Sequence, residues 1–420
     1  MNSVPADVPP AQDPGAAPRR RRLGLLPRIV IAIVLGVLLG LVMPEALARV
    51  FTTFNGLFSG FLGFLIPLII VGLVTPAIGE LGRGAGKMLA ATAGIAYLST
   101  VLCGLFALGL SLLLLPRMLD GSGSVALESP EDSAIAPYFA LEIPPVFDVM
   151  TALVLSFCLG IGLTLVSKGA LQESFVQLRT IVVRIIEAII IPLLPLYIFG
   201  MFVGLTMNGQ IWTVIGTFLT VILLVFAMTV VVLLAQYAVA GWAMGRNPLR
   251  MLWTMLPAYA TALGTSSSAA TIPVTTECTK RNGIPDAIAD FVVPLCATIH
   301  LAGSTLKITT FAVAIMIVTG MPLDVGVLVG FVFLLGVVMI AAPGVPGGAI
   351  MAAAGVLSSL VGFGEAAVGL MIAAYIAIDS FGTATNVTGD GAIAAVMTKL
   401  SRGRVSGDLE AQHHPHVQGV

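Results

Sequence analysis

From residue 188 to residue 245 the chain contains no Asp, Glu, Lys or Arg. A helix crosses a hydrocarbon core of roughly 30 Å with about 20 apolar residues, so this one uncharged stretch is long enough for two crossings. Strand-type alternation is absent, and lipid offers backbone groups no partner outside their own segment, so the spans are expected to be helical. Over the whole chain 58% of residues are hydrophobic and 10% charged, against about 25% charged in soluble domains. The expected class is therefore an all-α multi-pass membrane protein, with the lipid bilayer as its partner. The net charge of -1 supplies no argument for nucleic acid. No GxxxxGKS pattern occurs, so ATP coupling is not expected.

Apolar runs fall at about 27 to 45, 54 to 78, 88 to 116, 146 to 167, 180 to 207, 211 to 245, 287 to 322 and 364 to 398. Two further runs are interrupted. The stretch from Met251 to Thr276 is broken at its centre by GTSSSAA, leaving halves of about 12 residues, or about 18 Å of helix, too short to cross. The stretch from Val325 to Gly364 is broken at APGVPGGA, where Pro343, Gly344, Pro346, Gly347 and Gly348 exclude continuous helix. Each reads as a re-entrant helical hairpin.

Basic residues cluster at Arg19 to Arg22, Arg83 with Lys87, Lys168 with Arg179, Arg246 with Arg250, Lys280 with Arg281, and Lys399 with Arg402 and Arg404. The segment from Asp120 to Asp148 is acidic, with Glu128, Glu131, Asp132 and Glu142. Eight crossings with both termini cytoplasmic put every basic cluster inside and the acidic loop outside. The two hairpins then enter from opposite faces, the pattern of an inverted-repeat secondary transporter with its site near the bilayer midplane.

This reading divides the chain into a disordered cytoplasmic N-terminus (1–22), a scaffold-rich half of six spans (23–245, with an extracellular loop at about 117–148), a core transport domain (246–402) and a cytoplasmic tail (403–420). Within the transport domain hairpin 1 occupies about 250–278, the seventh span 287–322, hairpin 2 about 325–362 and the eighth span 364–398. Cys103, Cys158, Cys278 and Cys296 show no CxxC spacing and read as small hydrophobes rather than disulfides or metal ligands. His413, His414 and His416 in the tail carry only a weak metal signal.

Three stretches carry chemistry. GTSSSAATIPVT places Ser266, Ser267, Ser268 and Thr271 at the break of hairpin 1, where free backbone N–H groups suit a carboxylate. In the final span Asp379, Thr383, Asn386 and Asp390 recur at spacings of four, three and four, which puts them on one helical face. Ionisable groups there are costly and functional by default. An Asp accepts an ammonium group, and Asn with a second Asp offers the hard oxygens that alkali cations prefer. The tip APGVPGGAIM supplies flexibility and free carbonyls, as an extracellular gate requires.

TSSSAATIPVT, PGVPGGAIM and TNVTGD, in this order and spacing, resemble the dicarboxylate/amino acid:cation symporter family, which includes the glutamate transporters. The resemblance implies a homotrimer whose mobile transport domains carry a small-molecule substrate across by an elevator motion, and it implies a transporter rather than an enzyme. By similarity, Ser267 and Ser268 with the tip residues Gly344, Val345, Pro346 and Gly347 would hold the substrate carboxylate. Thr383 would line the same pocket and Asn386 would also meet the carboxylate. Asp379 would take the amino group. Asn386 and Asp390 would hold a sodium ion.

The chain departs from the family pattern twice. Where the family carries Asn-Met-Asp-Gly-Thr in the seventh helix, this sequence has His300, Leu301, Ala302, Gly303 and Ser304. The motif's aspartate is missing, so fewer sodium sites are expected. Lys307 follows at a spacing that puts it on one face with His300 and Ser304. One expectation is that the Lys307 ammonium or a titrating His300 substitutes for a bound cation beside Asp390. The other is that Lys307 snorkels to an interface while His300 is an ordinary core residue.

Second, family members that take acidic amino acids place an Arg four residues before the helix-eight Asn, to pair with the side-chain carboxylate. That position is Gly382 here, and Ser266 offers no replacement. A small neutral amino acid such as serine, threonine or alanine is the first expectation, coupled to sodium or to protons. A dicarboxylate whose second carboxylate meets Lys307, or an acidic amino acid, is the alternative. Outside the transporter class, an ion channel remains, since hydroxyls and carbonyls also line ion pores.

Overall fold

A computed structural model describes residues 25–82, 87–119, 135–141, 143–166, 169–343 and 346–401. Most of the acidic loop, the basic N-terminus, the histidine tail, Gly344 and Val345 lie outside the described residues. All regular structure among the described residues is helical. The first half comprises α1 (Leu25–Gly40), α2 (Glu45–Gly82), α3 (Lys87–Met118), α4 (Val149–Leu165), α5 (Ala170–Ile185), α6 (Ile191–Met207) and α7 (Ile211–Met244). A π-helical turn at Ile186–Ile190 joins α5 to α6, making one continuous helix from Ala170 to Met207.

The second half comprises α8 (Pro248–Thr254), α9 (Leu256–Thr265), α10 (Ser268–Arg281), α11 (Asp286–Ile299), α12 (Ala302–Val318), α13 (Val325–Ala341), α14 (Gly348–Val356), α15 (Glu365–Ala377) and α16 (Asp379–Ser401). Five described helical stretches are long and apolar enough to cross a membrane, one of them α11 and α12 taken in succession, and a sixth is obtained if α15 and α16 form one bent span. α1 and α4 are apolar but shorter, at 16 and 17 residues.

The outer surface is that of a lipid-facing protein. On α7, Trp212 and Trp242 are 71% and 75% exposed, and they stand about 45 Å apart along the helix. That is close to the thickness of a bilayer including its headgroups, where tryptophan is enriched. Lys399 lays its ammonium 3.3 Å from the Trp242 ring centroid, a cation–π contact at the same level. Of the cysteines, Cys103, Cys278 and Cys296 are buried, whereas Cys158 is exposed on α4 and does not behave as a core hydrophobe.

Two expected continuous spans are broken. The seventh stops at His300 and Leu301, both non-helical, and restarts as α12. The eighth is interrupted at Ile378 and bends there by 64°. Neither break carries a proline or glycine at the interruption itself. The backbone groups freed there find partners on other helices, a tertiary effect that local sequence does not encode.

α12 is almost wholly internal, with 16 of its 17 residues buried. It packs on α16, α3, α7 and α15, and α16 in turn packs on α7, α9, α10 and α11. Thus α3 and α7, from the first half of the chain, form part of the packing around the α12/α16 pair.

Candidate functional site

Both interrupted hairpins end at the head of α16. In hairpin 1, α9 closes at Ser266, the one non-glycine residue with positive φ among those described (φ 50°). Ser267 is extended, and its hydroxyl accepts from the N–H of Ala270 at the start of α10, as N-cap residues do. Ser268, buried, opens α10. The Ser266 hydroxyl lies 2.7 Å from that of Ser380, which ties the break of hairpin 1 to α16.

In hairpin 2 the chain turns at Pro346 and Gly347, and Gly347 takes φ 75°, a conformation open to glycine without strain. Its N–H donates to Asp379 Oδ2 at 2.8 Å. The tips of both hairpins therefore converge on two consecutive residues, Asp379 and Ser380. A separate cavity of about 820 Å³ touches both hairpins without reaching α16, lined by Ala269 of hairpin 1, Ala342 and Pro343 of hairpin 2, and Arg179, Arg184 and Glu187 of the first half of the chain.

Along α16 the polar face meets α12 and the break before it in reverse order. Lys307 faces Asp379, with Nζ to Oδ1 at 3.5 Å. Ser304 faces Asn386, whose Nδ2 donates to the Ser304 hydroxyl at 3.1 Å. His300 faces Asp390, with Nδ1 to Oδ1 at 2.9 Å. The two helices are antiparallel at this contact, so positions 307, 304 and 300 match 379, 386 and 390, three polar pairs spread over about 16 Å of α16.

Asn386 works mainly as a cap. Its Oδ1 accepts from the N–H groups of Gly303 at 2.8 Å and Ser304 at 3.4 Å, satisfying the N-terminus of α12 from a neighbouring helix. Ser304 also receives the Tyr375 hydroxyl at 2.9 Å. Thr383 bonds the carbonyl of Asp379 within its own helix. Close approach of the helices needs glycine on both sides. A Cβ on Gly303 would lie 2.6 Å from Thr385 Cβ, and one on Gly389 would lie 2.7 Å from His300 Cε1.

Lys307 is 1% exposed, which rules out snorkelling. Nor does it stand beside Asp390, as one expectation had it, because α12 carries it to the opposite end of the row of pairs; His300 is the side chain at Asp390. His300 is fully buried, and its second nitrogen, Nε2, lies 3.0 Å from the Ser99 hydroxyl. Gln236 donates to that same hydroxyl at 3.2 Å. Tyr237 donates to the carbonyl of Thr388 at 2.8 Å. Ser99, Gln236, Tyr237 and Tyr375 carry no motif in the sequence, since they are scattered polar residues on otherwise apolar helices. Their partners lie far along the chain.

A family model described as the sodium:dicarboxylate symporter family matches residues 25–400. The chain belongs to that family. It is similar to the serine/threonine transporter SstT of Streptococcus suis (strain 05ZYH33), at 26% identity over 312 residues, which is 72% of this chain and 86% of that protein. It is also similar to excitatory amino acid transporter 1 of Rattus norvegicus, at 33% identity over 258 residues, 59% of this chain and 46% of that one. The human protein of the same name is 32% identical over the same length. The match thus spans less than half of these longer relatives.

Membership makes this chain a transporter and not an enzyme, a multi-pass membrane protein of a cation-coupled symporter family. Among the described residues no cluster of three or more His, Cys, Asp or Glu could hold a metal ion.

Proposed function

We propose that the protein is a secondary symporter that accumulates a small carboxylate-bearing solute at the head of α16, between the two hairpin tips, using the energy of a cation gradient. The observation that carries this reading is the convergence of Ser266 on Ser380 and of Gly347 on Asp379. Ser267 and Ser268 at the tip of hairpin 1 offer hydroxyls and the N-terminal end of α10 to a carboxylate, and Pro346 and Gly347 form the opposing tip of hairpin 2. Gly344 and Val345 belong to the same proposal. Eight crossings, two re-entrant hairpins, a homotrimer with an elevator motion, and insertion in the plasma or inner membrane with both termini cytoplasmic complete it. Each net positive charge carried inward gains about 2.3 kcal/mol per 100 mV.

The coupling ion is sodium or a proton. Asn386 and Asp390, the residues proposed to meet a sodium ion, are engaged by the backbone of α12 and by His300. This favours fewer sodium sites than the family pattern implies.

Two solute readings separate at Asp379. A neutral amino acid agrees with Gly382, which leaves no guanidinium for a second carboxylate, and with the similarity to the serine/threonine transporter of Streptococcus suis. It requires Asp379 to exchange Lys307 for the solute ammonium. A carboxylate without an amino group leaves the Lys307–Asp379 pair intact, and the geometry favours it.

Purified protein in liposomes, loaded with an inward sodium gradient or an inward proton gradient, tests the class. Concentrative, saturable uptake under one gradient is expected, with altered coupling in His300→Asn. Current without accumulation would mark a channel instead.

A further inference from the structure

Lys307 ends in three N–H groups, and three oxygens surround it. The carbonyls of Ile378 and Asp379 lie at 3.3 and 3.4 Å, and Asp379 Oδ1 at 3.5 Å. The ring of Tyr375 covers the remaining side, its centroid 4.0 Å from Nζ. Such a set of partners, two carbonyls, a carboxylate and an aromatic face, is what a pocket would build for an ammonium ion. Here the ammonium belongs to the protein.

The fit is made possible by Gly382. A Cβ at that position would lie 2.2 Å from Nζ and 2.3 Å from Cε, so the lysine stem occupies the volume that any other residue would fill on that turn of α16. The carboxylate it neutralises is the same one that receives the hairpin 2 tip through Gly347. Hairpin 2 therefore reaches Asp379 with the charge of Asp379 already balanced by an internal cation. A solute ammonium arriving there would place a second positive charge on one carboxylate in a buried site, which is strongly unfavourable.

We propose that Lys307 is a specificity-determining residue, a tethered ammonium standing where a solute's amino group would bind, which selects for carboxylates that lack one. This rests on the head of α16 being the solute site. The three protons of Lys307 are already taken, so it acts by occupying Asp379 and not by clamping a second carboxylate of the solute.

The test uses pairs of solutes that differ only in the amino group: succinate against L-aspartate, and propionate against L-alanine. Binding is read from ligand-induced thermal shifts of the full-length protein in detergent, and uptake from reconstituted liposomes. The wild-type protein is expected to prefer the amine-free member of at least one pair by about tenfold or more. Lys307→Met frees Asp379 and should reverse that ratio, whereas Lys307→Arg, which keeps a cation, should preserve it. Gly382→Ala displaces the lysine without removing its charge and should shift the ratio the same way, so it carries the test if Lys307→Met does not fold.

Equal or better binding of the amine-bearing members by the wild type, or a ratio unmoved in both Lys307→Met and Gly382→Ala, overturns the inference. Asp379→Asn distinguishes the two levels. If it changes solute binding while the lysine variants leave the ratio alone, only the role of Lys307 falls. If it changes nothing, the site itself is elsewhere and the inference falls with it.

Discussion

His300 and Asp390 are locked together by an Nδ1 to Oδ1 contact of 2.9 Å, with both side chains at 0% exposure. The other ring nitrogen of His300 reaches Ser99 on α3, so the pair joins three helices. Removing one member of a buried pair leaves the other without compensation, at a cost of about 3–5 kcal/mol. His300→Ala is therefore expected to lower the thermal midpoint in detergent below that of Ser99→Ala, which loses its hydrogen bonds to His300 and Gln236, worth about 1 kcal/mol each. Equal midpoints for the two variants would contradict the pairing.

Gly389 stands against the same imidazole. A methyl group there meets His300 Cε1 at 2.7 Å and Gln236 Oε1 at 2.9 Å. Overpacking of this kind costs about 1–3 kcal/mol. Gly389→Ala should be destabilised in that range, and the double variant Gly389→Ala with His300→Ala should be less destabilised than the sum of the singles. Strict additivity would show that the two positions do not touch.

Ser266 holds a left-handed conformation, φ 50°, while its hydroxyl meets Ser380 at 2.7 Å. These two features pull substitution in opposite directions. Glycine relieves the backbone, worth roughly 1–2 kcal/mol, but loses the hydroxyl; alanine loses the hydroxyl and keeps the strain. Stability should fall in the order wild type or Ser266→Gly, then Ser266→Ala. In a Ser380→Ala background the hydroxyl contributes nothing, so Ser266→Gly should become the most stable of the three residues at position 266.

Asn386 caps α12 from α16 through Gly303 and Ser304. Loss of an N-cap costs about 0.5–2 kcal/mol. Asn386→Ala should speed hydrogen exchange at the amides of residues 303 and 304 more than elsewhere. Asn386→Asp, which keeps the acceptor, should protect them. Uniform exchange across α12 in both variants would count against the cap.

Much of the architecture is legible in the order of residues, for a specific reason. In lipid a segment must satisfy its own backbone, so uncharged length and the interruptions GTSSSAA and APGVPGGA translate directly into helices and hairpin tips. The period of a helix likewise places Asp379, Asn386 and Asp390 on one face without knowledge of any neighbour. What lies opposite that face is not a local property. The break at His300 has no proline or glycine of its own and is stabilised by Asn386, more than eighty positions later in the chain. The partner of Lys307 depends on α12 running antiparallel to α16, which sends the lysine to Asp379 and leaves Asp390 to His300. Spacing along one helix names the groups that share a side; only the packing of two helices decides which charges meet, because the free energy of a buried ion depends on its partner and not on its neighbours in sequence.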